Sequence, residues 1–123
     1  MMVKANYTDA KSFCMRANGA LAMPKSQEQF QALKDVLQSY NEKFYYIDVI
    51  AKASNPNDFF YGNDENEVPD SSFWAPNEPD GKGELCVTME KQSNYSWHDV
   101  DCSRQEYFAC QFVGQRMHFG DHI

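Results

Sequence analysis

The chain contains no apolar run that approaches the roughly 20 residues needed by a membrane-spanning helix, so we expect no membrane insertion. Its N-terminus, MMVKANYTDA, lacks the long apolar stretch of a signal peptide, and we expect a mature fragment. Basic residues are scarce: 11 Lys and Arg stand against 18 Asp and Glu, which gives a formal charge of -7. Nucleic acids and anionic membranes require a basic surface, and neither is expected as a partner.

Patterns that mark common enzymes are also missing. The sequence has no phosphate-binding loop, no dinucleotide fingerprint and no Ser-His-Asp order. Paired carboxylates could serve a glycosidase, but its acid needs an apolar pocket that raises its pKa, and the acids here lie in a polar stretch. We therefore expect a binding protein without catalytic activity.

The composition is that of a folded protein. Hydrophobic residues make up 42% and aromatic residues 15% of the 123 residues, which excludes the low hydrophobicity of a disordered chain. A chain of this length suits one compact module, so residues 1–123 are predicted to form a single domain.

The cysteine pattern favours disulfides over zinc. Structural zinc sites use close pairs such as C-x2-C, and no such pair occurs among the four cysteines, Cys14, Cys86, Cys102 and Cys110. Four cysteines allow three pairings. Disulfides indicate a secreted or extracellular protein, and sequons at Asn6 and Asn94 are compatible with that location.

Two helices are predicted in the first third of the chain. The first follows Thr8 as its N-cap, places Cys14 on its buried face and ends at Asn18-Gly19. The second runs from about Ser26 to Tyr40, because a capping box opens it and an apolar stripe follows at helical spacing.

The rest of the chain is predicted to contain short strands around a long loop. A strand is expected at Phe44–Ile50, and residues 53–84 show no hydrophobic period. Further strands are expected at Leu85–Met89, Ser96–Val100 and Tyr107–Phe112. Helices first and strands afterwards indicate an α+β fold with an antiparallel sheet.

The long loop is strongly acidic. Residues 53–90 contain nine acidic residues and one basic residue, Lys82. Such a run is usually a solvated surface, but prolines, glycines and Trp74 favour a fixed backbone that holds the carboxylates together. A bound cation would relieve their repulsion, and Ca²⁺ prefers hard oxygen ligands of this kind.

The ordered motifs resemble those of the C-type lectin domain. They are Trp74-Ala75-Pro76-Asn77-Glu78-Pro79-Asp80, Gly83-Glu84-Leu85-Cys86-Val87, Trp97-His98-Asp99-Val100-Asp101-Cys102 and Phe108-Ala109-Cys110, together with Tyr7, Ala10 and Cys14 of the opening helix. The resemblance covers about residues 7–112. It implies the C-type lectin fold, with two helices, small antiparallel sheets, a long calcium-binding loop, and disulfides Cys14–Cys110 and Cys86–Cys102.

The resemblance also implies a calcium site formed by Glu78, Asp80, Glu84, His98 and Asp99. A cis proline, Pro79, would lie between the first two of these acids. The resemblance likewise implies that sugar is bound by Glu78, Asp80, Glu84 and His98.

Three aromatic residues lie near these motifs in the sequence, and their expected roles differ. Trp74 and Trp97 are expected to pack in the loop and the core. Tyr95 is the candidate for stacking on a sugar from the surface.

Two residues depart from the family pattern. Mannose-type members carry E-P-N and galactose-type members Q-P-D, whereas this chain has E-P-D, so Glu78 and Asp80 supply acceptors without an amide donor. His98 replaces an asparagine, and imidazole is a poor calcium ligand. His98 could still donate a hydrogen bond, or water could take the vacant coordination position.

The auxiliary calcium site of the family is expected to be absent or rebuilt. Two positions that carry acids in the family are Gly81 and Leu85 here. The acids available for a rebuilt site are Asp58, Asp64 and Glu65.

The sequence is thus interpreted as a secreted, calcium-dependent carbohydrate-binding domain that recognises vicinal sugar hydroxyls, with mannose-type ligands favoured over galactose-type ligands. The alternative is a module of the same fold that binds protein, mineral or ice. With the cysteines paired internally, any homo-oligomer is expected to be noncovalent.

Overall fold

The structure is a computed structural model and describes residues 3–52, 55–62, 66–68, 73–80 and 83–112. Among these residues no helix is both long and apolar enough to cross a membrane. Asp64, Glu65 and Gly81, named above in connection with the auxiliary calcium site, lie outside the described residues.

Helix α1 spans Tyr7–Arg16 and begins earlier than predicted. Its N-cap is Asn6, whose side chain accepts a hydrogen bond from the Asp9 amide at 2.9 Å, so Thr8 lies inside the helix and the predicted cap was wrong. The helix end is as expected: Asn18 has φ 66° and Gly19 donates its amide to the Cys14 carbonyl at 2.9 Å.

Helix α2 spans Gln27–Leu37 with Ser26 as its N-cap, as predicted. The Ser26 hydroxyl accepts from the Gln29 amide at 3.1 Å, and the Gln29 side chain accepts from the Lys25 amide at 2.9 Å. The return hydrogen bond of the capping box therefore comes from the amide of Lys25, one residue before the N-cap. The helix ends three residues before Tyr40, which lies in a following turn.

In the described ranges of the chain, seven strands form two sheets. They are β1 (Ala20–Leu21), β2 (Phe44–Lys52), β3 (Asn55–Tyr61), β4 (Cys86–Glu90), β5 (Ser96–Val100), β6 (Tyr107–Phe108) and β7 (Cys110–Gln111). The larger sheet has the order β3-β2-β4-β5 with antiparallel pairs, and β6 pairs with β2 in parallel. The smaller sheet is the antiparallel pair of β1 and β7. The fold is therefore α+β, as predicted.

The strand β3 corrects the expectation that residues 53–84 lack regular structure. Its first residues are Asn55, Pro56, Asn57 and Asp58, which disfavour strands, and its pairing with β2 is irregular between Ala51 and Lys52. Pairing with β2 over Phe59–Tyr61 decides its conformation. The predicted strand at Tyr107–Phe112 is also divided, because Ala109 bonds to both sheets: its amide donates to Tyr46 and its carbonyl accepts from Ala22.

Both disulfides implied by the resemblance are present. Cys14–Cys110 joins α1 to β7, and Cys86–Cys102 joins the start of β4 to the turn after β5. Chain-entropy estimates give about 4.7 kcal/mol for a loop near 100 residues and about 3 kcal/mol for one near 15 residues. The two bridges therefore contribute substantially to the stability of this small domain.

The central strand β2 is covered on both faces. Tyr45, Ile47 and Val49 belong to a cluster that includes the buried side chains of α2, whereas Tyr46 belongs to a cluster with Ala10 and Cys14 of α1. Alternation along the strand places these sets on opposite faces. Trp97 is fully buried in the α2-side cluster, and Trp74 packs edge-to-face against it at 5.5 Å, as predicted for both residues.

Candidate metal and ligand site

Backbone hydrogen bonds to β5 hold the loop that carries the E-P-D triplet. The Trp97 amide donates to the Phe73 carbonyl at 2.7 Å, and the Ala75 amide donates to the Trp97 carbonyl at 3.0 Å. The Glu78 amide then donates to the Ala75 carbonyl at 3.0 Å and so closes a turn. Within this turn Asn77 has a φ of 68°. The Glu78–Pro79 peptide bond that follows is cis.

Three carboxylates meet where this loop passes β5. Oxygen atoms of Glu78, Asp80 and Asp99 lie within 4.8 Å of one another. The Asp80 amide also faces Asp99 Oδ1 at 3.4 Å. Asp99 is buried and Glu78 half-buried, so the group is partly removed from water.

Repulsion and burial act on this group. Burial is the largest of the causes that together raise the pKa of Glu78 to about 8; the adjoining Asp99 carboxyl and the charges of Asp80 and Glu84 act in the same direction. Glu78 Oε1 and Asp99 Oδ2 are buried without a hydrogen-bond partner among the described groups. Buried carboxyl oxygens without partners are costly, and a cation between them would remove that cost.

Glu84 lies beside the three carboxylates. Burial raises the pKa of the Glu84 carboxyl, and the charges of Asp80 and Asp99 raise it too. It is not part of the group whose oxygens lie within 4.8 Å. Of the five ligands implied by the resemblance, Glu78, Asp80 and Asp99 are thus brought together and Glu84 is adjacent.

His98 lies against Glu78 but does not belong to the group of three converging carboxylates. Its Nδ1 lies 3.5 Å from Glu78 Oε2, and its Nε2 lies 3.2 Å from Glu90 Oε2 and 2.7 Å from Ser93 Oγ. His98 and Asp99 are consecutive in β5, so their side chains leave opposite faces of the strand. Glu90 and Ser93 were not identified from the sequence, because only the turn between β4 and β5 brings them to the imidazole.

Tyr95 was wrongly predicted as a surface residue that stacks on sugar. Only 3% of it is exposed, and it packs in the α2-side core. Its φ of 66° turns the chain into β5 immediately after Asn94, which also has a positive φ. The local sequence carries no signal for this conformation, since such angles are uncommon for residues other than glycine.

A rebuilt auxiliary site receives no support in the described part of the chain. The three-carboxylate group is the only cluster found there in which three potential ligand atoms converge. Asp58 lies on β3 and does not belong to it.

The donor set fits calcium on chemical grounds. Carboxylate oxygens are the ligands that Ca²⁺ selects, and the site has no thiol or closely grouped imidazoles that would favour a transition metal. The unpartnered oxygens of Glu78 and Asp99 are available to such an ion.

Comparison with known proteins yields one family and several relatives. The family described as the lectin C-type domain matches residues 3–112. Collectin-10 of Xenopus tropicalis is 38% identical over 112 residues, which are 88% of this chain and 38% of that protein. The chain therefore spans little more than a third of the length of this curated relative.

Solved structures share the fold at low sequence identity. The carbohydrate-recognition domain of the mouse scavenger receptor C-type lectin has a TM-score of 0.77 and 23% identity, over 89% of this chain and 82% of that one. A calcium-independent type II antifreeze protein has a TM-score of 0.74 and 21% identity, over 89% and 79% of the two chains. At these identities the likeness establishes the fold.

Proposed function

The chain belongs to the C-type lectin domain family, and on that premise we propose that it binds carbohydrate in a calcium-dependent manner through Glu78, Asp80 and Asp99. The observation that carries the proposal is the convergence of these three carboxylates, with two buried oxygens that have no hydrogen-bond partner in the described part of the chain. An acidic group of this kind is unfavourable in the absence of a cation and is well suited to hold one.

Each residue of the site has a distinct proposed role. Glu78, Asp80 and Asp99 would hold the ion, and Glu84 would join them from its adjacent position. When bound, calcium would supply direct coordination to a vicinal pair of sugar hydroxyls. Glu78, Asp80 and Glu84 would accept hydrogen bonds from those hydroxyls, and His98 would line the side of the site next to Glu78.

Mannose-type sugars are the proposed ligands, because Glu78 retains the first position of the mannose-type triplet. The contact is small and wet, so affinity at a single site should be weak, about millimolar. Useful avidity would then require several copies. The two disulfides support an extracellular location.

Calorimetry and affinity chromatography test the proposal together. Calcium should bind with a stoichiometry of about one, and the protein should be retained on a mannose column in calcium. Both a chelator and free mannose should release it. Absence of calcium binding by calorimetry would refute the metal site, and retention that survives chelation would refute calcium-dependent recognition.

A second candidate is a module that binds protein, mineral or ice on the same fold. It is favoured by one observation, namely that the E-P-D triplet supplies acceptors without the amide donor of either sugar-binding triplet. A calcium-independent antifreeze protein also shares the fold. A glycan array without any bound sugar, on a protein that binds calcium normally, would select this alternative.

A further inference from the structure

Positive charge is concentrated at one end of the larger sheet, away from the acidic loop. The chain carries 11 Lys and Arg in total and has a net charge of -7. Four of them, Lys4, Lys43, Lys91 and Arg104, lie around the start of β2, where Phe44 pairs with Glu90 at the end of β4. A local cationic surface on an acidic protein calls for a physical explanation.

Two adjoining clefts occupy this surface, and we call them the lysine clefts. The first, of about 450 Å³, has among its lining residues Lys4, Asn41, Glu42, Lys43, Gln105 and Glu106. The second, of about 410 Å³, is lined by Asn41, Glu42, Lys43, Lys91 and Gln92. Lys43 therefore stands on the shared wall, with Lys4 in one cleft and Lys91 in the other.

The two acids that line the clefts, Glu42 and Glu106, offset half of the four positive charges. Glu106 is buried, and its Oε2 accepts from Arg104 Nε at 2.9 Å and from a second guanidinium nitrogen of Arg104. The Arg104 guanidinium also lies 4.6 Å from the centre of the Phe44 ring, which fixes its position. With Glu106 paired to Arg104, Glu42 is the acid that remains against three lysines.

The ammonium groups of Lys4 and Lys91 contact neutral partners. Lys4 Nζ lies 5.4 Å from the centre of the Tyr107 ring, and Lys91 Nζ donates to the Asn41 side chain at 2.5 Å. Within the described residues, no carboxylate lies within 4.0 Å of the ammonium groups of Lys4, Lys43 or Lys91. Their charges are therefore available to an anionic ligand.

We propose that the lysine clefts bind a sulfated oligosaccharide, independently of calcium and of the acidic loop. Two clefts on either side of Lys43 suit an extended chain with anionic groups spaced along it. Asn41, Gln92 and Gln105 supply amides for its hydroxyls. A long nucleic acid is less suitable, because the net charge of -7 would repel the parts of it that lie beyond the clefts.

The test is binding of a fluorescent heparin hexasaccharide to the whole chain, measured by anisotropy at low ionic strength in the presence of a chelator. Binding should be saturable and should weaken as salt is added. Lys43→Gln and Lys91→Gln should each weaken it about twofold to fivefold, and the double variant about tenfold. The chelator separates this result from the proposed lectin site, which is inactive under these conditions.

Lys52→Gln is the matched control. Lys52 is exposed and ends strand β2, whereas Lys43 immediately precedes that strand. At the rise of a β-strand the two residues are roughly 30 Å apart. Lys52→Gln therefore removes the same charge at the opposite end of the strand. Equal weakening by Lys43→Gln and Lys52→Gln would overturn the proposal, as would absence of binding by the natural sequence. Equally tight binding of a polyglutamate peptide or of an oligonucleotide of the same charge would overturn the assignment to a glycan.

Discussion

Gly62 lies directly against the buried carboxylate of Asp48. A Cβ atom at Gly62 would stand 2.0 Å from Asp48 Oδ1 and 2.9 Å from the Tyr7 hydroxyl. Asp48 is 1% exposed, accepts from the Tyr7 hydroxyl at 2.5 Å and faces Lys11 Nζ at 3.3 Å. The absence of a side chain at residue 62 therefore makes room for a buried acid that joins α1 to β2 and to the end of β3.

Gly62→Ala should destabilise the fold by about 1–3 kcal/mol, because the added methyl group must displace Asp48 or Tyr7 from a packed position. Urea unfolding of the two proteins measures the difference. Gly83→Ala is a useful comparison: Gly83 has φ +86° with open space around it, so only backbone strain applies. Equal stability of Gly62→Ala and the natural protein would show that Asp48 and Tyr7 can move aside without cost, and would contradict this prediction.

Asp99→Asn should abolish calcium binding and sugar retention while the fold persists, because the change removes one charge from the three-carboxylate group and keeps the shape of the side chain. Calcium at a hundred times its dissociation constant should stabilise the natural protein by about 2.7 kcal/mol and the variant not at all. Melting curves in calcium and in chelator measure this. Asp35→Asn, at an exposed position of α2, should respond to calcium like the natural protein, and calcium stabilisation of Asp99→Asn would contradict the assigned ligand.

Stability without calcium should fall as the pH rises. The pKa of Glu78 is about 8 in the fold against an ordinary value of 4.5, so between these values the folded state binds more protons than the unfolded state. Its contribution is therefore most favourable below about pH 4.5 and is lost as the pH rises to about 8. Unfolding in chelator across this range checks the slope, which Glu78→Gln should reduce.

Asp80→Asn should sharpen selection of mannose over galactose, because it restores an amide donor in the third position of the triplet. Calcium binding should persist, since Asp80 is the exposed member of the group, and the buried Asp99 and half-buried Glu78 keep their carboxylates. Inhibition of column binding by free mannose and free galactose compares the two proteins. If only galactose inhibits column binding by the natural protein, the predicted preference for mannose is wrong, although the lectin site itself is not contradicted.

The helices and four of the strand positions could be predicted because their signals are local. Ser26, the N-cap, and Gln29 meet at the first turn of α2, and the apolar stripe of that helix follows its period. Strand β3 could not be predicted, because its polar first half becomes a strand only by pairing with β2. The cap of α1 was missed because Asn6 and Thr8 are both acceptable caps and the packing of Tyr7 on Tyr46 and Asp48 favours the earlier start.

The ordered motifs of the sequence carried the resemblance to the family, and that resemblance implied the disulfide pairs and the acids of the candidate site, because it depends on residue identity and order. The tertiary structure decided the geometry. It placed Glu78, Asp80 and Asp99 together, turned His98 towards Glu90 and Ser93, and buried Tyr95. The physical reason is that these contacts join segments that approach one another only when the sheet pairs and both helices pack, and no local pattern encodes such distances.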